Sequence, residues 1–314
     1  MNPTLLLALS IVYVVWGSTY LAIRVAIETM PPFIMASIRF LIAGGIMYAF
    51  SIRRGDREGD RPGTKQWRAA WIVGTCLLLG GNGGVVWAEQ RVSSGIAALI
   101  VSAVPLWIAL LGFLFLRQRL PRVAVAGLVV GFAGTALLIG PGGSQHVDPL
   151  GAAALIGASI SWSIGTLYGA RAPLPSRGLL SASMQLISGG VSVGIAGVAS
   201  GELSRFHPSE FSRSSIIAVV YLIVLGAIVA FPAYAWLVRN ASPSITSTYA
   251  YVNPAIAVFL GWALVDEEIH ATTLIAGAVI VVAVAMIVTA KAAPREGEPA
   301  AGAPPLEELA VEPG

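Results

Sequence analysis

Charged residues are scarce in this chain: only 11% of its 314 residues are Asp, Glu, Lys or Arg, and 56% are hydrophobic. Soluble domains usually carry about 25% charged residues, so this composition cannot cover a water-soluble surface. Cysteine is nearly absent, and the single Cys76 excludes an intrachain disulfide and a cysteine-rich metal site. The three histidines, His146, His207 and His270, lie between the long apolar runs and offer no proton relay inside a membrane.

Motifs of soluble enzymes are lacking too. The sequence contains neither His-Glu-x-x-His nor a glycine-rich phosphate loop with its lysine. We therefore expect no enzymatic activity, no bound metal, no cofactor and no ATP site, so that any transport would use an ion or substrate gradient. A lipid-modifying enzyme and an assembly partner without transport activity remain the alternatives from other functional classes.

Long apolar runs dominate what is present. Ten of them are long enough to cross about 30 Å of hydrocarbon as helices, and the short alternating segments of a β-barrel are absent. The sequence therefore predicts an all-α integral membrane protein with ten transmembrane helices. The predicted spans are 5–23, 33–52, 70–88, 94–116, 123–140, 150–170, 179–200, 215–237, 244–265 and 271–290.

The chain repeats itself around an odd number of spans. Residues 94–116 return as 243–265 at an offset of 149, and Trp16 matches Trp162 at an offset of 146. Five spans lie in each copy, so the second copy enters the bilayer from the opposite side, as in many secondary transporters. We predict a first repeat over 5–140, a second over 150–290 and a disordered cytoplasmic tail over 291–314, which is rich in Pro, Ala, Gly and Glu.

The basic residues predict the orientation. With the N-terminus inside, 14 of the 19 Lys and Arg residues fall on the cytoplasmic side, four fall outside, and Arg39 lies within span 2. The positive-inside rule then puts both termini in the cytoplasm. The basic excess is a topology signal and needs no nucleic-acid partner. The expected partners are the lipid bilayer and a small-molecule substrate, and the sequence leaves a homodimer open.

Two prolines occupy matched positions near the middle of the bilayer. Pro105 and Pro254 should each remove a helical hydrogen bond and displace the carbonyl four residues earlier, and in lipid those carbonyls need other partners. We interpret both as helix breaks beside a cavity. Two packing kinks without a ligand are the alternative.

Arg39 is the one basic residue well inside a span. An intramembrane charge is costly and normally faces the bundle interior with a partner. Glu89 and Glu28, on the same predicted outer side, are the candidate partners. Arg39 is interpreted as the cation that holds an anionic group of the substrate, with a structural pair or a snorkelling arginine as alternatives.

Polar and aromatic residues inside the spans supply the other candidates. Asn82, within the glycine-rich segment 80–84, and Asn253 are interpreted as hydrogen-bonding groups, or as contacts between helices. Trp16, Tyr20, Trp162 and Tyr249 are interpreted as walls of the substrate site, although tryptophan is ordinarily an interfacial anchor.

Acidic residues follow the third and the ninth predicted span. Glu89 could carry a coupling proton if burial raised its pKa, or it could be a solvated loop carboxylate beside Arg91. The acidic run 266–268 reads as solvated outside the membrane.

Several short motifs follow one another along the chain: Trp16-Gly17-Ser18-Thr19-Tyr20, Pro31-Pro32, Arg39-Phe40, Gly81-Asn82-Gly83, Ala88-Glu89-Gln90, Ser94 to Leu99 with Pro105-Leu106, Ser161-Trp162, and Ser247 to Pro254. In this order they resemble the EamA family of the drug/metabolite transporter superfamily, and within it the YedA-type exporters. The resemblance implies a ten-helix inverted-repeat exporter of small metabolites with a central cavity. The family usually has a glutamate after the span that carries the repeat's proline. The second half keeps it in Glu267-Glu268, whereas the first half has Arg117-Gln118-Arg119.

The sequence and the resemblance together predict a secondary exporter of amino acids, organic acids or drug-like compounds. Its two halves would rock around a site at the bilayer midplane. Inverted symmetry does not set a direction, so an importer of the same fold remains an alternative.

Overall fold

The computed structural model describes residues 3–53, 62–117, 120–139, 147–241, 245 and 248–292. Within them, nine helices are long and apolar enough to cross a membrane, and a tenth apolar helix has 17 residues. The predicted class of all-α membrane protein is confirmed. The helices are α1 Pro3–Ala26, α2 Pro32–Arg53, α3 Thr64–Ala88, α4 Ser94–Leu116, α5 Arg122–Ile139, α6 Pro149–Gly169, α7 Gly178–Ala199, α8 in the consecutive pieces Arg213–Tyr221, Leu222–Val229 and Ala230–Asn240, α9 Tyr249–Val265, and α10 Ala271–Ala292.

The predicted spans and the helices agree closely, except at three places. Helix α3 begins at Thr64, six residues before its predicted span. The described helix within the predicted span 244–265 begins at Tyr249, after a turn at Thr248, and residues 244 and 246–247 lie outside the described residues. Helix α10 continues to Ala292, two residues into the predicted tail, and residues 293–314 of that tail lie outside the described residues.

The first helix of each half packs against helices of the other half. Helix α1 packs against α8 and α9 of the second half, and α6 packs against α3 and α4 of the first. Helix α2 lies along α7, and α5 lies along α10. Because α1 corresponds to α6 in the repeat, and α3 and α4 correspond to α8 and α9, each half presents the same surfaces to the other. This arrangement is that of an inverted-repeat membrane protein.

Matched helix ends make the repeat visible in the backbone. Arg117 after α4 and Asp266 after α9 both adopt the left-handed conformation, with φ of 51° and 54°. Their backbone N–H groups donate to the carbonyls of Gly112 and Gly261, respectively. The two residues and their two acceptors are each 149 positions apart in the chain.

Helices α3 and α8 each contain a π-helical segment at matched positions. The segments are Thr75–Gly83 and Leu222–Val229. A π-helix shifts the hydrogen-bonding pattern by one residue and is frequent at functional sites. The apolar pattern of these spans did not predict either segment.

The two prolines differ in their local structure. Helix α4 is interrupted at Ser102 and Ala103, and Pro105 lies in the first turn of its second piece, Val104–Leu116. Pro254 lies inside the described helix Tyr249–Val265, which continues past it. The helix break predicted at Pro254 is therefore not present in the described part of α9. Since Pro254 is only five residues from the helix start, it removes a single bond, to the carbonyl of Ala250.

Candidate functional site

Glu89 is completely buried at the end of α3. Its relative exposure is 0%, and it follows Ala88 directly. Its backbone carbonyl accepts a hydrogen bond from Arg24 Nη1 at 2.6 Å, but neither carboxylate oxygen has a hydrogen-bond partner among the described residues. The alternative of a solvated loop carboxylate beside Arg91 is therefore wrong.

Arg39 lies inside the bundle, with 6% of its surface exposed. Its guanidinium carbon is 5.0 Å from the centre of the Phe40 ring, and its Nε and Nη1 have no hydrogen-bond partner in the part of the chain that the structure describes. A Cβ placed on Gly226 would lie 3.6 Å from Arg39 Nη2, so the head group lies beside the π-helical segment of α8. Its position is that of an interior charge and not of a snorkelling arginine.

Four side chains surround Glu89: Tyr20 and Arg24 from α1, Arg39 from α2, and Glu267 after α9. We call these four and Glu89 the charged cluster. Burial raises the pKa of the Glu89 carboxyl, which lies just beyond the α3 span; Glu267 adds to the increase, and Arg24 and Arg39 oppose it. Desolvation outweighs the two cations because Glu89 has lost all contact with solvent.

Glu267 is held by the helix that begins at Ser94. Its Oε1 accepts from the Ser94 N–H at 2.7 Å, and its Oε2 accepts from the Gly95 N–H at 3.1 Å. The expectation that the run 266–268 is merely solvated is therefore wrong for Glu267. A carboxylate at a helix N-terminus satisfies orphan N–H groups and complements the helix dipole.

Trp16 belongs to an aromatic cluster formed by α1, α8 and α9. Its ring centre lies 5.0 Å from that of Tyr234, 5.4 Å from that of Tyr249 and 5.7 Å from that of Phe231. Tyr234 and Tyr249 also contact each other at 5.6 Å. The rings pack against one another at edge-to-face distances. The Trp16 Nε1 donates to the Gly226 carbonyl at 3.2 Å, next to Arg39.

Trp162 and Asn82 lie at the other π-helical segment. A Cβ on Gly81 would lie 2.8 Å from Trp162 Cε3, so the ring packs directly on α3. Ser161 Oγ donates to the Cys76 carbonyl at 2.8 Å. The Asn82 Oδ1 atom is buried and has no hydrogen-bond partner within the described ranges. Among the described residues, Trp162 has no ring contact with the aromatic cluster, so the matched tryptophans occupy separate places.

Asn253 joins α9 to α1. It is 8% exposed. In the amide orientation that satisfies both its ends, its nitrogen donates to the carbonyls of Tyr249 at 3.2 Å and Tyr13 at 3.3 Å. The Tyr13 hydroxyl also hydrogen-bonds the Thr248 hydroxyl. Two polar side chains of this segment, Asn253 and Thr248, thus make hydrogen bonds to α1.

Two cavities open at the surface of the described chain, and none of the ten predicted site residues lines either. A polar cavity of about 280 Å³ is lined by Arg24, Glu28, Gln90, Arg91, Ser93 and Glu267, with Val92 and Val265. It adjoins the charged cluster through Arg24 and Glu267. An apolar groove of about 470 Å³ lies between α2, α3 and α6. Neither of these two cavities reaches Arg39.

A Gly-x-Ser-x-Gly match, Gly190 to Gly194, lies in the middle of α7. The motif serves as a nucleophile elbow only at a sharp strand-to-helix turn. Here Ser192 Oγ donates to the Ser188 carbonyl at 3.0 Å and hydrogen-bonds Thr75 Oγ1 at 2.8 Å. The helical context excludes an elbow and assigns Ser192 to the contact between α7 and α3.

Sequence reasoning missed several residues of this region. Arg24 stands just past the first predicted span, and Tyr234 and Phe231 lie in the aromatic-rich end of the eighth. Their positions near span ends were the only available signal. Gly226 could not be singled out, because its role depends on the π-helical backbone that brings its carbonyl to Trp16.

The fold and these contacts define a class: a polytopic membrane protein of two matched five-helix halves, with polar groups left open between them. The chain belongs to the EamA-like transporter family, whose sequence model matches residues 3–140 and 149–289.

Similar proteins agree with this assignment. The chain is 39% identical over 286 residues to the "uncharacterized inner membrane transporter YedA" of Escherichia coli K12, covering 90% of each chain. It is 23% identical to the transporter YvbV of Bacillus subtilis, covering 91% of each. A solved crystal structure superposes with a TM-score of 0.60 at 22% identity, over 93% of this chain and 98% of the other, and supports the fold.

Proposed function

We propose that the chain is a secondary transporter of the bacterial inner membrane that exports small metabolites by alternating access around a midplane site. Its family and its inner-membrane relative support transport of small molecules. The observation that carries the site is Arg39, whose Nε and Nη1 are buried between α2 and α8 without partners. Unmade bonds of a buried cation are what a carboxylate of a substrate would complete.

Other residues have roles that follow from their surroundings. The unpartnered Oδ1 of Asn82 can accept a hydrogen bond from a substrate. Trp16, Tyr20 and Tyr249 supply apolar walls on the side of α1 and α9, and Trp162 does so on the side of α3. Asn253 acts through the contact between α9 and α1, where its amide is engaged. Pro105 and Pro254 are positioned to ease the bending of α4 and α9 as the halves rock.

Glu89 is the proposed carrier of a coupling proton. Its burial favours the neutral form, and its position near the polar cavity gives a short route to water once that end opens. Proton entry from outside and proton release inside would then drive export.

The orientation is proposed from the charge distribution, with both termini in the cytoplasm. Reporter fusions at Met1 and Gly314 should both be active on the cytoplasmic side only. A periplasmic signal from either terminus would overturn this orientation and, with it, the assignment of Glu89 to the outer end.

The transport proposal is tested in proteoliposomes. Purified protein is reconstituted with a labelled mixture of amino acids and small organic acids, and exchange is followed against each unlabelled compound for wild type and Arg39→Ala. Arg205→Ala is the matched control, because Arg205 is exposed at the end of the short 3-10 helix Glu202–Arg205, far along the chain from Arg39. Selective exchange that Arg39→Ala abolishes and Arg205→Ala retains is the expected result.

Two results would contradict the proposal. Absence of exchange by well-folded wild type for every compound would exclude transport of these classes. A substrate converted to a new product would instead indicate an enzyme. Direction is read separately in cells, where overproduction should lower the intracellular level of the exchanged compound.

A further inference from the structure

Two opposite charges of the charged cluster are buried with unmade hydrogen bonds. Glu89 Oε1 and Oε2 and Arg39 Nε and Nη1 make up four of the seven buried side-chain atoms without a partner among the described residues. A buried polar group left unsatisfied costs about 1–3 kcal/mol, and more when it is charged. Four such atoms on two residues indicate a binding site in which a ligand supplies the missing hydrogen bonds.

The two residues do not satisfy each other. They lie close enough to influence one another electrostatically, yet no hydrogen bond joins them. The other two charges of the cluster do have partners. Arg24 donates to the backbone carbonyl of Glu89, and Glu267 accepts the two N–H groups at the start of α4. The cluster therefore leaves one guanidinium and one carboxylate open.

We propose that Arg39 and Glu89 bind the two poles of one zwitterionic amino acid, its carboxylate on Arg39 and its ammonium group on Glu89. This inference rests on the proposed function and narrows its substrate class. A simple organic acid would leave both Glu89 oxygens without a hydrogen-bond partner, and a simple amine would leave the Arg39 guanidinium without one. A ligand with both charges satisfies both residues.

The Glu89 carboxylate cannot hold a proton and bind the ammonium group of the ligand at the same time. Ligand binding requires the ionised carboxylate, so it releases a proton where burial has kept Glu89 neutral. The groups that face Glu89 are Tyr20 and Arg24 from α1, Arg39 from α2 and Glu267 after α9. The carboxylate that takes the ammonium group is the one that held the proton, so the proposal assigns the released proton to Glu89.

The test compares ligands that differ only in their charged groups. L-phenylalanine, 3-phenylpropanoate and 2-phenylethylamine form one set, and L-leucine, 4-methylpentanoate and 3-methylbutylamine form another. The twenty protein amino acids are screened first. Binding is measured as thermal stabilisation of the full chain in detergent, and counterflow is measured in proteoliposomes. The proteins are wild type, Arg39→Gln, Glu89→Gln, and the exposed controls Arg205→Gln and Glu210→Gln.

We expect wild type and both controls to bind the best amino acid at least tenfold more tightly than its acid or amine, because a site built for a polar group rejects analogues that lack it. Glu89→Gln should lose this advantage over the acid while acid binding stays within threefold. Arg39→Gln should lose the advantage over the amine. Ratios within one variant do not depend on how much of it folds.

Three results would overturn the proposal that Arg39 and Glu89 bind the two charged groups of one amino acid. Either no amino acid binds wild type, or the acid binds wild type as tightly as the amino acid, or Glu89→Gln weakens the binding of the acid and of the amino acid equally. Exchange of acids without preference for amino acids would keep the transport proposal and reject this inference. Binding of amino acids with the expected preferences but without counterflow would keep the site and reject transport.

Discussion

The carboxylate of Glu267 caps the helix that begins at Ser94, 173 residues earlier in the chain. The backbone nitrogen of Ser94 lies 2.7 Å from Glu267 Oε1 and donates its hydrogen to it. The second oxygen accepts from Gly95. The left-handed turn at Asp266 brings Glu267 back over the end of α9. The contact therefore ties α9 to α4 beside the polar cavity and the charged cluster.

Replacing Glu267 by Gln should weaken this tie. An amide oxygen can still accept one N–H, but the charge that complements the N-terminus of α4 is lost. We expect a loss of about 1–2 kcal/mol in the free energy of unfolding, measured by thermal melting in detergent.

Glu268→Gln is the matched control, since Glu268 is adjacent, 79% exposed and within 3.2 Å of His270. Equal melting temperatures for the two variants would show that the cap contributes nothing.

Gly261 makes room for the same contact. A Cβ placed there would overlap Glu267 Oε2 and lie 2.9 Å from its Cδ. Gly261→Ala should push the carboxylate off Ser94 and destabilise the protein by about 1–3 kcal/mol, as overpacking of a filled site does. Thermal melting again measures the effect.

The control for Gly261→Ala is Gly157→Ala in α6, where a Cβ would meet nothing within 4 Å. This control should be neutral or slightly stabilising, because alanine favours a helix over glycine. If both substitutions have the same effect, the space around Gly261 is not what matters.

The sequence predicted the helices better than the contacts between them. The run 94–116 has the same bounds as α4, because charges and turn residues flank it. The π-helical segments were not predicted, since a span that is apolar all round has no periodicity that distinguishes one helical pitch from another. Only the structure shows that side chains of α1 and α6 donate hydrogen bonds to the carbonyls of these two segments.

The candidate site was predicted unevenly for a physical reason. Arg39 and Glu89 stood out because a charge within or beside an apolar run is costly and has to be explained locally. The role of Glu267 could not be predicted, since it depends on Ser94 in the other half. Asn253 was rightly expected to need hydrogen bonds, but the sequence could not show that Tyr13 lies within reach.

Trp16 should stabilise the π-helical segment of α8 through its indole nitrogen. Trp16→Phe keeps an aromatic ring against Tyr234 and Tyr249 but removes the bond to the Gly226 carbonyl. A buried carbonyl left without this donor should cost about 1 kcal/mol and lower exchange activity, because the segment borders Arg39. The readouts are thermal melting and proteoliposome exchange.

The comparison for Trp16→Phe is Trp71→Phe, since Trp71 in α3 is 45% exposed. We expect Trp71→Phe to change neither readout appreciably. A Trp16 variant that behaves like the Trp71 variant would mean that the indole hydrogen bond is dispensable.

Glu89→Gln should change how stability depends on pH. Burial raises the folded-state pKa of the Glu89 carboxyl above the usual value of about 4.3. The folded protein therefore holds a proton that the unfolded chain has already lost, so the Glu89 contribution is most favourable at low pH and declines until the pH passes the folded-state pKa. Glutamine cannot ionise and escapes this decline.

The stability of Glu89→Gln relative to wild type should thus increase from pH 4.5 to pH 9, by about 1.4 kcal/mol for each unit of pKa shift within that range. The measurement is thermal melting of both proteins in detergent at several pH values, which cancels the titration of all other groups. Glu210→Gln, at an exposed position, should show no such trend. A difference between Glu89→Gln and wild type that stays constant with pH would mean that Glu89 is ionised throughout, and the carboxylate could then not carry a coupling proton.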